Sequence, residues 1–168
     1  LETRKGTLLV TTFTSLAYEP ILSKAAARSA DDPAAWTKDR LARWNAAHHR
    51  LDAAARNAEL GTWLIKSTDG GQTWSPRYSS IVNSPHGPVQ LADGRLLYAG
   101  KQLWSAPKRI GVCESCDDGA TWSWLAEIPS RPGDDFSAYH ELHAVETAPG
   151  SRIVVHIRNH NKANSQDR

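Results

Sequence analysis

Apolar and polar positions along this chain alternate in short runs. The run Thr7-Leu8-Leu9-Val10-Thr11-Thr12-Phe13 follows Lys5-Gly6, Leu96-Leu97-Tyr98 follows Asp93-Gly94-Arg95, and Ile153-Val154-Val155 follows Pro149-Gly150-Ser151-Arg152. In each case a glycine free to adopt positive φ precedes β-branched and apolar residues, which predicts the same turn-and-strand hairpin three times. Further strand signals stand at Thr62–Lys66, Val89–Leu91, Arg109–Val112, Trp122–Leu125 and Leu142–Val145. One stretch breaks the pattern. After Asp31-Asp32-Pro33, an N-cap followed by Pro at the first helical position, Trp36, Leu41, Trp44, Leu51 and Ala55 recur near helical spacing up to Gly61. This predicts one long or two shorter helices over 33–60 within an insertion spanning 31–61, either a spacer or a functional lid. The polar tail from Asn159 to Arg168 reads as a loop.

An eight-residue motif is superimposed on the strands. Ser67-Thr68-Asp69-Gly70-Gly71-Gln72-Thr73-Trp74 returns as Ser115-Cys116-Asp117-Asp118-Gly119-Ala120-Thr121-Trp122. The shared positions are Ser67, Asp69, Gly71, Thr73 and Trp74, matched by Ser115, Asp117, Gly119, Thr121 and Trp122. Each copy reads as a turn between strands: Ser and Asp oxygens bond nearby amides, Gly supplies positive φ, and Trp anchors the next strand. Strand-rich units repeating at roughly 40 to 50 residues are the mark of propeller blades. Gly94 and Gly150 are 56 residues apart, and Gly6 and Gly94 are 88 apart, the excess being the helical segment.

The repeated motif resembles the Asp-box, or bacterial neuraminidase repeat, of the sialidase superfamily. The resemblance implies a mainly β fold, a six-bladed β-propeller of which residues 1–168 hold about three blades as one partial domain. Because blade strands alternate in direction, the glycine turns and both boxes should share one end. The opposite rim then collects Phe13–Gly61, Asn83–Gly87, Gly100–Lys108, Pro129–Glu141 and Arg158 onward. Glu141 and Arg158 flank the Pro149-Gly150 turn at similar distances, so an antiparallel hairpin brings them together at its open end. By resemblance Glu141 is the general base that activates a Tyr nucleophile, and Arg158 is one of three arginines that bind a sialic acid carboxylate through a planar fork. Alternatively they form a surface ion pair. His86 and Lys101, facing each other across the preceding hairpin, are expected substrate contacts or ordinary rim residues. Trp104 is a candidate sugar platform. The family's Tyr nucleophile and its other two arginines fall in stretches outside Leu1–Arg168. The position of its acid/base Asp is taken by Phe13-Thr14, followed by Glu19, Asp31 and Asp32 without a matching motif.

Composition narrows the function classes. The net charge is +2 with scattered basic residues, which excludes nucleic acid as an expected partner. No apolar run reaches membrane-spanning length, and Leu1–Val10 is not a signal peptide, so a secreted or periplasmic location stays open. The chain begins without Met, within a predicted hairpin, and reads as a mature form or a fragment. Cys113 and Cys116 form a C-x-x-C on a strand running into a turn, which predicts buried or partly buried free thiols rather than a redox or zinc site. His140 and His143, three apart on a strand, are expected on opposite faces, so no metal site and no cofactor are expected. The function that follows from the resemblance is exo-sialidase-like hydrolysis of a terminal sialic acid or related acidic sugar. The alternatives are a non-catalytic Asp-box propeller that binds carbohydrate or protein, and a glycosidase or lyase on another sugar. Expected partners are an acidic glycan and either the remaining blades of a longer parent chain or further copies of this one.

Overall fold

The structure, a computed structural model, describes residues 1–104 and 108–160. It is mainly β, with antiparallel sheets that remain open. Compact packing divides the chain into two units: Leu1–Phe13 joined by Thr62 onward, and Thr14–Gly61.

Among the described residues the first unit contains three sheets. Strands β1 (Leu8–Phe13), β2 (Thr62–Ser67) and β3 (Tyr78–Ser79) pair in sequence order. Strands β4 (Val89–Gln90), β5 (Leu96–Lys101), β6 (Ile110–Ser115) and β7 (Ser123–Glu127) form a four-stranded meander. Strands β8 (Tyr139–Ala148) and β9 (Arg152–Asn159) form a long hairpin. The first two sheets repeat one plan. Leu8 pairs with Ser67 and Leu96 with Ser115, so in both cases the strand after the glycine turn starts opposite the strand that ends in a box. A bridge between Glu2 and Leu8 adds a rudimentary strand ahead of β1, in the place that β4 takes ahead of β5.

Strand β5 is buried along its whole length because both of its faces are covered. Leu97 and Ala99, with Ile110 and Val112 from β6, pack against Tyr139, Leu142 and Ala144 of β8. Tyr98 and Cys113 point to the other side, against Val82, Trp122 and Trp124. This alternation is the strand's period of two expressed as two cores. Burying side chains of this size contributes roughly 1.5–3 kcal/mol each, so β5 is the anchor of the unit.

The second unit contains three helices: α1 (Tyr18–Ala26), α2 (Lys38–His48) and α3 (Ala53–Ala58). Two expected boundaries move. Asp32-Pro33 does not open a helix; Asp32 Oδ1 accepts from Ala34 N at 2.7 Å in a local turn, and α2 starts after Thr37, whose hydroxyl accepts from Arg40 N at 3.2 Å. Gly61 does not end a helix either, since α3 stops at Ala58, short of that glycine. The periodic stretch is broken where the Asp52 carboxylate caps α3 through Ala55 N. Helix α1 lies ahead of the expected insertion, with Pro20 in its first turn where a missing N–H costs nothing. Arg56 ties the three helices together, bonding Glu19 at 2.9 Å and the carbonyls of His48 and Leu51 at 3.1 and 2.5 Å.

Among the described residues no helix is long and apolar enough to cross a membrane. Cys113 and Cys116 are free thiols, but only Cys113 is buried; Cys116 is exposed because the chain has already entered the box turn. Burial pushes the Cys113 thiol up to about 12, which makes it a poor nucleophile. The expected loop at the tail falls, from residue 161 onward, outside the described residues, as do residues 105–107 of the rim segment Gly100–Lys108.

Candidate active site

The two boxes are the same hydrogen-bonded circuit built twice. Ser67 Oγ donates to Asp69 Oδ1 at 2.7 Å and accepts from Gly71 N at 2.9 Å, while Asp69 Oδ2 accepts from Thr73 Oγ1 at 2.5 Å and Trp74 Nε1 donates to Gly71 O at 3.1 Å. Ser115, Asp117, Gly119, Thr121 and Trp122 repeat every one of these bonds. The hydrogen bonds from Thr73, and then from Ser67, hold the Asp69 carboxyl far below the usual carboxylate range; the Thr121 bonds hold that of Asp117 at about 2. Both carboxylates are therefore committed to their turns and unsuited to proton transfer.

Polar contacts at this end bind the sheets to one another. Arg4 bonds Gln90 Oε1 through its backbone N–H, and its guanidinium bonds the carbonyls of Leu91 and Ala92. Thr7 Oγ1 donates to Asp118 at 2.5 Å, and Tyr78 OH donates to Gly119 O at 2.6 Å. Glu146 accepts from both Ala92 N and Gly150 N. The end that holds the boxes is thus a fastening between sheets.

At the other end Phe13, Asn83, Lys101, Tyr139, His140, Glu141 and His160 line a cleft of about 420 Å³. These residues sit at the ends of β1 and β5, at the start of β8 and just beyond β9, so the alternation of strand direction gathers them on one rim. Among the described residues Glu141 is one of two non-glycine residues with positive φ, at 53°. It sits in a bulge: His140 pairs with Arg158 and His143 with His156, leaving Glu141 and Leu142 opposite Ile157 alone. Arg158 Nη1 donates to Glu141 Oε1 at 2.6 Å, with both side chains about 40% exposed (39% and 40%). The bulge is fixed from beneath, where Leu142 is fully buried and its carbonyl accepts from Ser84 Oγ.

The predicted residues are distributed unevenly around this cleft. Glu141 and Lys101 line it, and Arg158 joins it through Glu141. His86 does not face Lys101. The partner of Lys101 is Asn83, because Ser84–Gly87 closes a turn, with Gly87 at φ 69°, that carries His86 out of the ladder. The His86 ring packs instead against His143, 5.4 Å between centroids. Lys101 is only 8% exposed, and its ammonium donates to Ser137 O at 2.8 Å and Phe136 O at 3.3 Å, so it holds the loop before β8 in place. Burial, and then the Lys108 charge, lower its pKa. Trp104 is exposed.

The bulge also revises the histidine geometry. Arg158 and His156 are two apart on β9, so their partners His140 and His143 share a face instead of opposing each other. No group of three or more metal-ligating residues occurs among the described residues. His140 and His160, whose rings lie 5.2 Å apart in the cleft, belong to the site, as does Asn83. The available signal for the pair was position alone: His140 precedes Glu141 and His160 follows Arg158 by two, at the same open hairpin end. The Tyr139 hydroxyl is engaged, accepting from Arg131 N at 3.1 Å and donating to Asp134.

Comparison with known proteins gives fold and no more. No protein-family model and no curated protein matches the chain. Among solved structures, a protein of unknown function from Dyadobacter fermentans DSM 18053 is similar with a TM-score of 0.56 at 17% identity, over 96% of this chain. The chain spans 43% of the length of that structure.

Proposed function

We propose that this chain forms about three blades of a six-bladed sialidase-like propeller, in a glycoside hydrolase that removes a terminal sialic acid or related acidic sugar. The observation that carries the reading is Glu141. A glutamate within a strand gains nothing structural from a left-handed backbone, which costs a non-glycine residue roughly 1–2 kcal/mol. Bulges re-aim side chains beside active sites, and this one sets a carboxylate on the wall of a cleft large enough for a monosaccharide. The other such residue, Asp118, lies in a box turn and is an amino acid tolerated there. Arg158 uses one terminal nitrogen for Glu141, and its remaining donors have no partner among the described residues. Those donors suit the planar two-point grip that a sugar carboxylate requires. The repeated box circuits and the four-stranded meander support the propeller. In this reading Glu141 is the base that activates a tyrosine nucleophile, and Arg158 is a carboxylate ligand.

One observation favours the non-catalytic alternative, a propeller that binds acidic glycans. Glu141 is the sole carboxylate lining the cleft among the described residues, whereas glycosidases ordinarily pair two. Hydrolysis of a fluorogenic sialoside by the full-length protein, wild type against Glu141→Gln, separates the two. The enzyme reading expects turnover that the substitution abolishes; the binding reading expects no turnover and unchanged glycan retention.

A further inference from the structure

Among the described residues the cleft lining holds one carboxylate, Glu141, which the glycosidase reading uses as the base, so the proton for a leaving group has to come from another group. The groups in its wall that carry an exchangeable proton can be compared in turn. The Lys101 ammonium is bound to two carbonyls and the Tyr139 hydroxyl to Asp134, while Glu141 is held by Arg158. His140 and His160 differ. Their ring nitrogens have no hydrogen-bond partner among the described residues, both rings line the cleft, and they lie 5.2 Å apart. His140 is also the direct cross-strand partner of Arg158 and the chain neighbour of Glu141, which places it beside the group that would hold the sugar.

We propose that His140, backed by the His160 ring, is the general acid of this cleft; the assignment rests on the glycosidase reading above. As the glycosidic bond breaks, its electron pair goes to the bridging oxygen, which takes the imidazolium proton, so the leaving sugar departs as a neutral alcohol and the ring is left neutral. In the same step the tyrosine oxygen, its proton passed to Glu141, bonds to the anomeric carbon; water then displaces that oxygen, giving its proton to the ring, while Glu141 returns a proton to the tyrosinate. Burial, followed by the charges of Lys101 and His160, lowers the pKa of His140, with Arg158 acting the same way and Glu141 opposing. The proton-loaded form is accordingly the acid-side form, and turnover that needs it falls as pH rises through a value below the ordinary 6.5.

The test compares two substrates on the full-length protein and its His140→Gln variant: a sialyl disaccharide, whose alcohol must be protonated to leave, and an aryl sialoside, whose phenolate leaves without help. The expected result is a loss of roughly 100-fold or more in kcat/KM on the disaccharide, a loss under about 10-fold on the aryl substrate, and disappearance of the alkaline-side fall in the disaccharide profile. The ratio of the two rates is independent of the fraction folded, and His160→Gln is expected to move the pH profile with a smaller loss. Equal losses on both substrates, or no loss on either, would overturn the assignment while leaving the glycosidase reading intact. If the wild-type protein hydrolyses neither substrate, that reading fails and the acid assignment fails with it.

Discussion

At Glu141 three terms of similar size oppose one another. Removing its side chain relieves about 1–2 kcal/mol of left-handed strain. It also loses a half-exposed ion pair worth about 0.2–1 kcal/mol, and a new glycine frees the unfolded chain by about 0.4–1 kcal/mol. The sum is close to zero. Glu141→Gly is therefore expected to unfold in urea within about 1 kcal/mol of wild type, whereas Val145→Gly, in the regular ladder opposite Val154, should lose about 1 kcal/mol or more. Equal losses at the two positions would contradict the strain. Asp117 supplies the pH dependence. Its folded pKa of about 2 lies below the ordinary 3.8 because the Thr121 hydrogen bonds favour the ionised form. The resulting stabilisation is fully present above about pH 4 and drains away as pH falls toward 2. Melting temperatures of Asp117→Asn measured across that window should fall less steeply than those of wild type, with a lower plateau near neutrality.

The two boxes are alike as turns and unlike as elements of the packing. The equivalent glycines Gly71 and Gly119 both hold positive φ, at 89° and 82°, but a Cβ on Gly71 would meet Leu8 Cδ1 at an ordinary 3.5 Å, whereas one on Gly119 would come within 2.8 Å of both Leu9 methyls. Gly119→Ala should thus cost about 1–3 kcal/mol more than Gly71→Ala, read from denaturation midpoints; equal costs would deny that the second box is a packed junction between sheets. The boxes were legible in the sequence because their own Ser, Asp, Gly and Thr close the turn locally. The glycine hairpins were legible because alternation and turn chemistry agree. The bulge at Glu141 was not, since it leaves no compositional mark and depends on Leu142 being drawn into the core beneath it. With it were lost the shared face of His140 and His143 and the place of His160. His86 was misplaced because strand alternation was carried straight through Ser84–Gly87. Helix α1 lies outside the predicted stretch 33–60, and Pro20 stands in its first turn, where no backbone donor is needed.

Across the whole molecule, the covered strand β5 contrasts with the sheets beside it. Among the described residues β8 and β9 pair only with each other, and Val145, Ile153 and Val154 of that hairpin are exposed. An apolar hairpin with open edges is a template for further strands. The 168-residue chain by itself is expected to associate, with a light-scattering mass above that of one chain; a monomer with a single cooperative melt would contradict this. The cleft at the rim opposite the boxes is where the candidate chemistry gathers, and Glu141 is its central residue. The most direct measurement is fluorogenic sialoside hydrolysis by the full-length protein and by Glu141→Gln, with glycan retention followed in parallel. Wild type is expected to turn the substrate over, and the variant to lose roughly 100-fold or more in kcat, with the fold and glycan binding retained. Turnover unchanged by the substitution would contradict this.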